Sequence, residues 1–398
     1  MHYLELEMSK IKIAHVTPHL GGGVGRCLSS ICLADDMQVE RKFILLEQPL
    51  DKVYYSLVAK RHQVDVIENF DKIIYELHDF DIIQIEFWNH PAIMKFLDYT
   101  KNLRARRVFW CHVSGVGNVT LGRKFLKSKE EIIFSSNISN AYYNENKKVV
   151  NSGFVSRKTP NKIPWEEREF DFLFAGQLDF AKLHKDFHRI IEAAAVASSR
   201  PICIFGDGRD SSKIKKQLSR KLNVQFYGHV NNLDDCFSRT KFLIYPLSRE
   251  HYGTGENILK EAMSLGCVPL TLDNLAENDI LREFSEQTCH KSVGDLINKL
   301  RASNNDTNDY AGLSKQITVF SREQYSPTKS VLDFSKIYIE MIDSEKRIFN
   351  SHEYFGSTPR QWYEAFLTDM TPAIVDESQP RSKGSRVHFS SYFKESFY

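Results

Sequence analysis

Residues 242–272 read FLIYPLSREHYGTGENILKEAMSLGCVPLTL. Two short runs, 242–245 and 267–272, are apolar on both faces, as a strand must be when helices cover both sides of a parallel sheet. Between them, 256–265 carries helical periodicity and is long enough to be a crossover. The stretch predicts one strand–helix–strand unit, and the same alternation extends almost from end to end. Further strands are expected at 11–17, 42–46, 64–67, 81–86, 107–111 and 131–135, then at 170–175, 201–205 and 224–227, with a helix at 185–197. The fold class that follows is α/β, built as two doubly wound Rossmann-like domains.

At 398 residues the chain exceeds one ordinary domain. The boundary is expected within 152–168, SGFVSRKTPNKIPWEER, where two prolines and dense charge interrupt the pattern. This predicts a first domain over 1–158 and a second over 159–343, the latter ending in a helix at 327–343. Residues 344–398 lose the alternation and read as a partly helical C-terminal tail, with a helix at 359–369 and a basic, aromatic end.

Composition narrows the function classes. With 53 Lys and Arg against 51 Asp and Glu, the net charge is only +2, which speaks against a nucleic-acid binder. The seven cysteines form no CxxC pair and several sit in apolar runs, so buried, reduced thiols are expected. No run reaches the roughly 18 apolar residues of a membrane span, and residues 1–10 lack a signal-peptide core. The expectation is a cytoplasmic protein. Basic clusters at 101–107 and 123–129 leave open a peripheral contact with the inner face of the cytoplasmic membrane.

In open parallel sheets, ligands gather outside the carboxyl ends of the strands. After 11–17 come His19, Leu20 and the loop Gly21-Gly22-Gly23-Val24-Gly25-Arg26; Gly22 and Gly23 are candidates to let the backbone approach a phosphate. The dinucleotide pattern GxGxxG fails at Arg26, which argues against an oxidoreductase. After 170–175, Gln177 and Lys182 stand where a diphosphate could be met. After 242–245, the amides of Gly253, Thr254, Gly255, Glu256 and Asn257 precede a helix for which Thr254 is the expected N-cap and Gly266 the C′ residue. Glu261 in that helix suits a pair of ribose hydroxyls, since a carboxylate accepts two hydrogen bonds. His112, at the end of a strand, and more weakly His19 and His90, are further candidates. Asp234-Asp235 falls in a helical pattern and reads as a solvated face. No Asp-x-Asp site follows a strand, and neither a metal nor a cofactor is expected.

The ordered series GQLDFAK at 176–182, FGDG at 205–208, FYGHV at 226–230 and YPLSREHYGTGENILKEAMSLGCVPL at 245–270 resembles the donor-binding domain of the family 4 retaining glycosyltransferases of GT-B fold. The Gly21–Gly25 loop and His112 extend the resemblance into the first half. It implies two domains facing each other across a cleft and a nucleotide-diphosphate-sugar donor. It also implies a glycan or lipid-linked acceptor, often in surface-polysaccharide biosynthesis. Residue by residue, it places Lys182 on the diphosphate, Val230 at the base, Glu261 on the ribose and His112 against the transferring sugar. The family's arginine position is held by Gln177, which can donate hydrogen bonds but brings no charge. Glu250 matches the glutamate near the donor sugar, yet Thr254-Gly255-Glu256 is inserted relative to the family spacing, so Glu256 is the alternative. Catalysis would rest on fixed donors aimed at the departing diphosphate, with the acceptor hydroxyl attacking from the front face. A nucleotide-sugar-binding protein without transfer activity is the competing reading, given the missing arginine and the altered spacing. The donor sugar and base are not encoded in these residues.

Overall fold

The computed structural model describes residues 10–35, 39–49, 52–67, 70–115, 119–151, 163–218, 223–230, 232–249, 251, 255–303, 307–367, 384 and 386–394. The chain divides into two compact units, one of Met1–Gly153 with Pro327–Tyr398, the other of Phe154–Ser326.

The first unit holds a seven-stranded sheet. Its strands are β1 Ile11–Thr17, β2 Val39–Leu45, β3 Gln63–Val66, β4 Ile82–Phe87, β6 Arg107–Cys111, β7 Glu131–Phe134 and β8 Lys148–Val149, in the order β3-β2-β1-β4-β6-β7-β8. Every pairing in it is parallel. β4 and β6 are buried along their whole lengths, as a sheet covered on both faces demands. The chain leaves β1 on one side to build β2 and β3 and returns on the other to β4. The crevice between the tips of β1 and β4 is therefore a topological switch point.

The second unit repeats the plan. β9 Phe170–Ala175, β10 Ile202–Phe205, β11 Val224–Gly228, β12 Thr240–Tyr245, β13 Val268–Leu272 and β14 Cys289–His290 form a parallel sheet in the order β11-β10-β9-β12-β13-β14. Its switch point lies between β9 and β12. The helix between β12 and β13 runs Asn257–Ser264 and ends where Gly266 takes φ +82°, the left-handed C′ conformation expected of it. It begins later than expected, with Glu256 as N-cap. Thr254, the predicted N-cap, lies outside the described residues.

The segment after the second unit returns to the first. The helix Pro327–Ile342 buries Val331, Phe334, Ile337, Tyr338 and Met341, and the Phe334 ring meets Trp110 of β6 at 4.8 Å. The sequence pattern had grouped this helix with the second domain. Beyond it, Phe349, Phe355, Trp362, Phe366 and Phe389 join the apolar core of the first unit. The short strand β15 Arg347–Ile348 pairs antiparallel with β5 Arg104–Ala105. The helix Pro359–Glu364 is fixed by a capping box between Thr358 and Gln361.

All seven cysteines are thiols, none joined in a disulfide. Burial pushes the Cys32 thiol up to about 12 and that of Cys289 to about 11, so both are inert structural groups. Among the described residues, no helix is long and apolar enough to cross a membrane.

Candidate functional site

In the second unit, three strand tips are held together by glycines. Gly206, after β10, has φ +127°, and a Cβ there would sit 1.8 Å from the Gly176 carbonyl oxygen at the end of β9. The Gly206 N–H donates to Gly228 at the end of β11, at 2.6 Å. A side chain is excluded at Gly206, so β9, β10 and β11 meet there through half-buried backbone.

The loop after β9 folds back on the segment after β12. Leu183 bridges Leu247, the Ser248 N–H donates to the Lys182 carbonyl at 2.8 Å, and the His184 N–H donates to Pro246 at 3.0 Å. Asp179 braces the turn by accepting from the Ala181 N–H at 2.8 Å and from Arg209 at 3.0 Å. This anchoring delivers the Lys182 ammonium to Glu256, Nζ to Oε2 at 2.8 Å. The same oxygen accepts from the Tyr245 hydroxyl at 2.5 Å, and His251 Nδ1 lies 3.8 Å from Oε1.

Burial alone would raise the Glu256 carboxyl. The adjacent Lys182 charge and the hydrogen bonds from Lys182 and Tyr245 outweigh it and hold the group below the ordinary carboxylate range. Behind His251 stands Glu277, fully buried in the first turn of the helix Leu275–Leu281, with Oε2 at 3.3 Å from His251 Nε2. The result is a buried line, Lys182–Glu256–His251–Glu277, across the switch point. Lys182, with 15% of its side chain exposed, is the end of that line nearest solvent.

The remaining predicted residues of this unit are spread around it. Gln177 is exposed just after β9, and Val230 is 37% exposed beyond β11. Gly255 precedes the N-cap, Asn257 opens the helix, and Glu261 is buried one turn in. Glu250, Gly253 and Thr254 lie outside the described residues. Of the two candidate glutamates, Glu256 is the one seen against Lys182.

In the first unit, His112 follows β6, and its Nε2 is 2.7 Å from Oε2 of Glu86 on β4. Glu86 is fully buried and is reached on its other oxygen by His15 Nδ1 at 3.0 Å and by Gln84 at 2.9 Å. Burial would raise this carboxyl as well, and the hydrogen bonds from His112 and His15 outweigh it, holding it low. Gly22, at φ +60°, and Gly23 open the helix Gly22–Ala34, and neither would bring a Cβ within 4 Å of another atom. Gly25 is the tight position, where a Cβ would fall 2.3 Å from the Leu20 carbonyl carbon. This glycine lets the helix pack closely on the loop that leads into it from β1.

His19, Glu47 and His90 bring one potential ligand atom each within 4.8 Å of the others. Nδ1 of His19 accepts the Gly21 N–H at 3.0 Å, and Nδ1 of His90 accepts the Ala92 N–H at 3.2 Å. In the neutral rings this puts the proton on Nε2, the form that donates hydrogen bonds; a metal-ligating histidine instead donates its second nitrogen to an oxygen. The donor set fits a polar ligand better than a cation.

Reading the sequence missed Tyr245, His251 and Glu277, and in the first unit His15, Arg41, Glu86 and Tyr338. Glu86 had a signal, a carboxylate with Gln84 inside the otherwise apolar run 82–87. Glu277 had only its place shortly after a strand.

Residues 155–317, nearly the whole second unit, match the family model for glycosyl transferases group 1. No curated protein matches the chain. Among solved structures, Anabaena HepE in complex with UDP-glucose superposes with a TM-score of 0.64 at 14% identity, over 83% of this chain and 100% of that one. A glycosyltransferase from Rickettsia africae gives 0.64 at 12% identity, over 84% and 100%. The lipopolysaccharide outer core galactosyltransferase WaaB gives 0.58 at 15% identity, over 83% and 99%. At these identities the likeness is one of fold, and it is to the GT-B glycosyltransferase architecture of two parallel-sheet domains.

Proposed function

We propose that the chain is a glycosyltransferase that takes a sugar from a nucleotide-diphosphate donor. The observation that carries this reading is the Lys182–Glu256 pair at the switch point of the second sheet, 2.8 Å apart, within the segment that matches the group 1 family model. A partly exposed ammonium beside glycine-lined strand tips has the charge and the position to meet a diphosphate. Glu256 and the loop bonds to Ser248 and Pro246 hold it there in advance, which is what electrostatic stabilisation of a leaving group requires. That HepE was crystallised with UDP and with UDP-glucose, on the same fold, agrees with a donor of this class.

In this reading Gln177 adds uncharged hydrogen bonds to the phosphates, the backbone at Val230 lies at the base, and Glu261 takes the ribose hydroxyls. Gly22 and Gly23 of the first unit offer backbone amides, and His112 contacts the transferring sugar. The acceptor hydroxyl attacks the anomeric carbon from the face the diphosphate leaves, which retains the configuration, and its proton passes to the leaving diphosphate, with no metal called on. The acceptor is a glycan or a lipid-linked glycan, and the setting is cytoplasmic surface-polysaccharide synthesis with peripheral membrane contact.

The test is a thermal-shift panel of UDP-, GDP-, ADP- and CMP-sugars, followed by turnover of any sugar that binds. One diphosphate sugar should raise the melting temperature in proportion to occupancy and be turned over. Tight binding without turnover would point instead to a nucleotide-sugar-binding protein, and no shift with any of them would remove the proposal.

A further inference from the structure

The first unit carries a buried hydrogen-bond circuit whose direction is fixed by chemistry alone. It starts at Arg41 on β2, which is 4% exposed and whose Nε is paired with Asp35. A guanidinium only donates. His15 Nε2, 2.8 Å from Arg41 Nη1, must therefore accept, and the His15 proton sits on Nδ1 and is given to Glu86 Oε1 at 3.0 Å. Stacking of the ring on Phe43, with centroids 4.6 Å apart, holds it in that plane. Burial also lowers the His15 pKa, which keeps the ring neutral and able to accept.

A second branch runs in parallel. Arg41 Nη1 donates to the Tyr338 hydroxyl at 3.3 Å, so the single proton of Tyr338 goes to Gln84 Oε1 at 2.5 Å. That contact orients the amide and leaves its NH2 group to donate to Glu86 Oε1 at 2.9 Å. Both branches deliver N–H donors onto one oxygen of a fully buried carboxylate. The other oxygen, Oε2, meets His112 Nε2 at 2.7 Å. A carboxylate that already receives two donors is the acceptor in this last bond too.

We infer that Glu86 is a positioning residue for His112, fixing the imidazole with a proton on Nε2, so that any ligand contact of the ring is made through Nδ1. Resting on the glycosyltransferase reading, this makes Nδ1 the atom that meets a sugar hydroxyl. Tyr338 comes from the helix Pro327–Ile342, so the returning C-terminal segment completes the circuit.

The test is a long-range proton–nitrogen spectrum of the full chain labelled with 15N-histidine, with His112 assigned by its loss in His112→Gln. The expected pattern is that of a ring protonated at Nε2. A neutral ring with a bare Nε2 and a proton on Nδ1 would overturn the inference. In Glu86→Gln, the amide can donate where the carboxylate accepted, and the Nε2-protonated pattern should give way to the other tautomer. Persistence of the wild-type pattern in that variant would also overturn the inference. Should Glu86→Gln fail to fold, the wild-type spectrum decides alone. In donor turnover, Glu86→Gln is expected to lose about 10- to 100-fold in kcat, the range for removing a group that orients a functional histidine, with KM changed less than about twofold. If the wild type turns over no nucleotide sugar, the function proposed above fails while the tautomer result stands by itself.

Discussion

Replacing Lys182 with Met keeps the length of the side chain and removes its charge, leaving Glu256 buried with, among the described residues, Tyr245 and His251 beside it. Breaking a buried ion pair by removing one partner costs about 3–5 kcal/mol, because the remaining charge is uncompensated. The 15% exposure of Lys182 and the retained Tyr245 hydrogen bond place the expected loss near the lower end, at about 3 kcal/mol. A unit the size of Phe154–Ser326 moves by about 2–4 °C per kcal/mol, so its melting transition should fall by roughly 6–12 °C at pH 7. Glu256 is a carboxyl with a depressed folded-state pKa, so the stability the pair supplies is full above the ordinary carboxylate value and disappears as pH falls through the folded one. The gap between wild type and Lys182→Met should therefore narrow in acid. The double variant Lys182→Met with Glu256→Gln removes both charges and should be destabilised by less than the sum of the single variants. Donor turnover should not recover in the double variant, since about 10²–10³ in rate is lost with the charged donor. A Lys182→Met protein as stable as the wild type, with unchanged turnover, would refute the argument.

Other perturbations test separate parts of the account. His62 is buried and its pKa is lowered to about 4, first by burial and then by Arg41. A histidine depressed this way destabilises the fold as pH drops below about 6.5, by about 2 kcal/mol at pH 5. His62→Phe should flatten the wild type's loss of melting temperature between pH 7 and 5, measured by calorimetry. Gly206→Ala should destabilise the second unit by roughly 2–6 kcal/mol, through positive-φ strain and the clash with the Gly176 carbonyl, as read by urea unfolding. His112→Ala should lower donor turnover while leaving most of the nucleotide-induced melting shift, because the proposed contacts of Val230, Glu261 and Lys182 with base, ribose and diphosphate are untouched.

Most of the eleven longer strands were legible as apolar runs, because burial on both faces is what a parallel sheet imposes on strands such as β4 and β6. β2 opens three residues before the run at 42–46 because Val39-Glu40-Arg41 interrupts it with charge, and β3 and β11 are only partly buried. β5, β8, β14 and β15 span two residues each, too few for any period to register. The destination of the helix Pro327–Ile342 was hidden for a different reason. Its apolar face is visible in the sequence, but which sheet it covers is decided by contacts such as Phe334 on Trp110, far apart along the chain. The site divides the same way. Lys182 and the loop 253–257 were singled out because each follows a strand, where parallel sheets bind ligands, whereas the contact between Lys182 and the Glu256 carboxylate depends on how the two loops fold together. The Glu86 circuit joins residues up to 297 positions apart, and a lone carboxylate in an apolar strand does not announce its partners.

The most direct measurement is a crystal structure of the chain with the nucleotide sugar that gives the largest melting shift. The account predicts a diphosphate oxygen at hydrogen-bond distance, about 3 Å, from Lys182 Nζ, with the phosphates over the tips of β9 and β12. A nucleotide bound at another face of the second unit, or with its phosphates out of reach of Lys182, would contradict it.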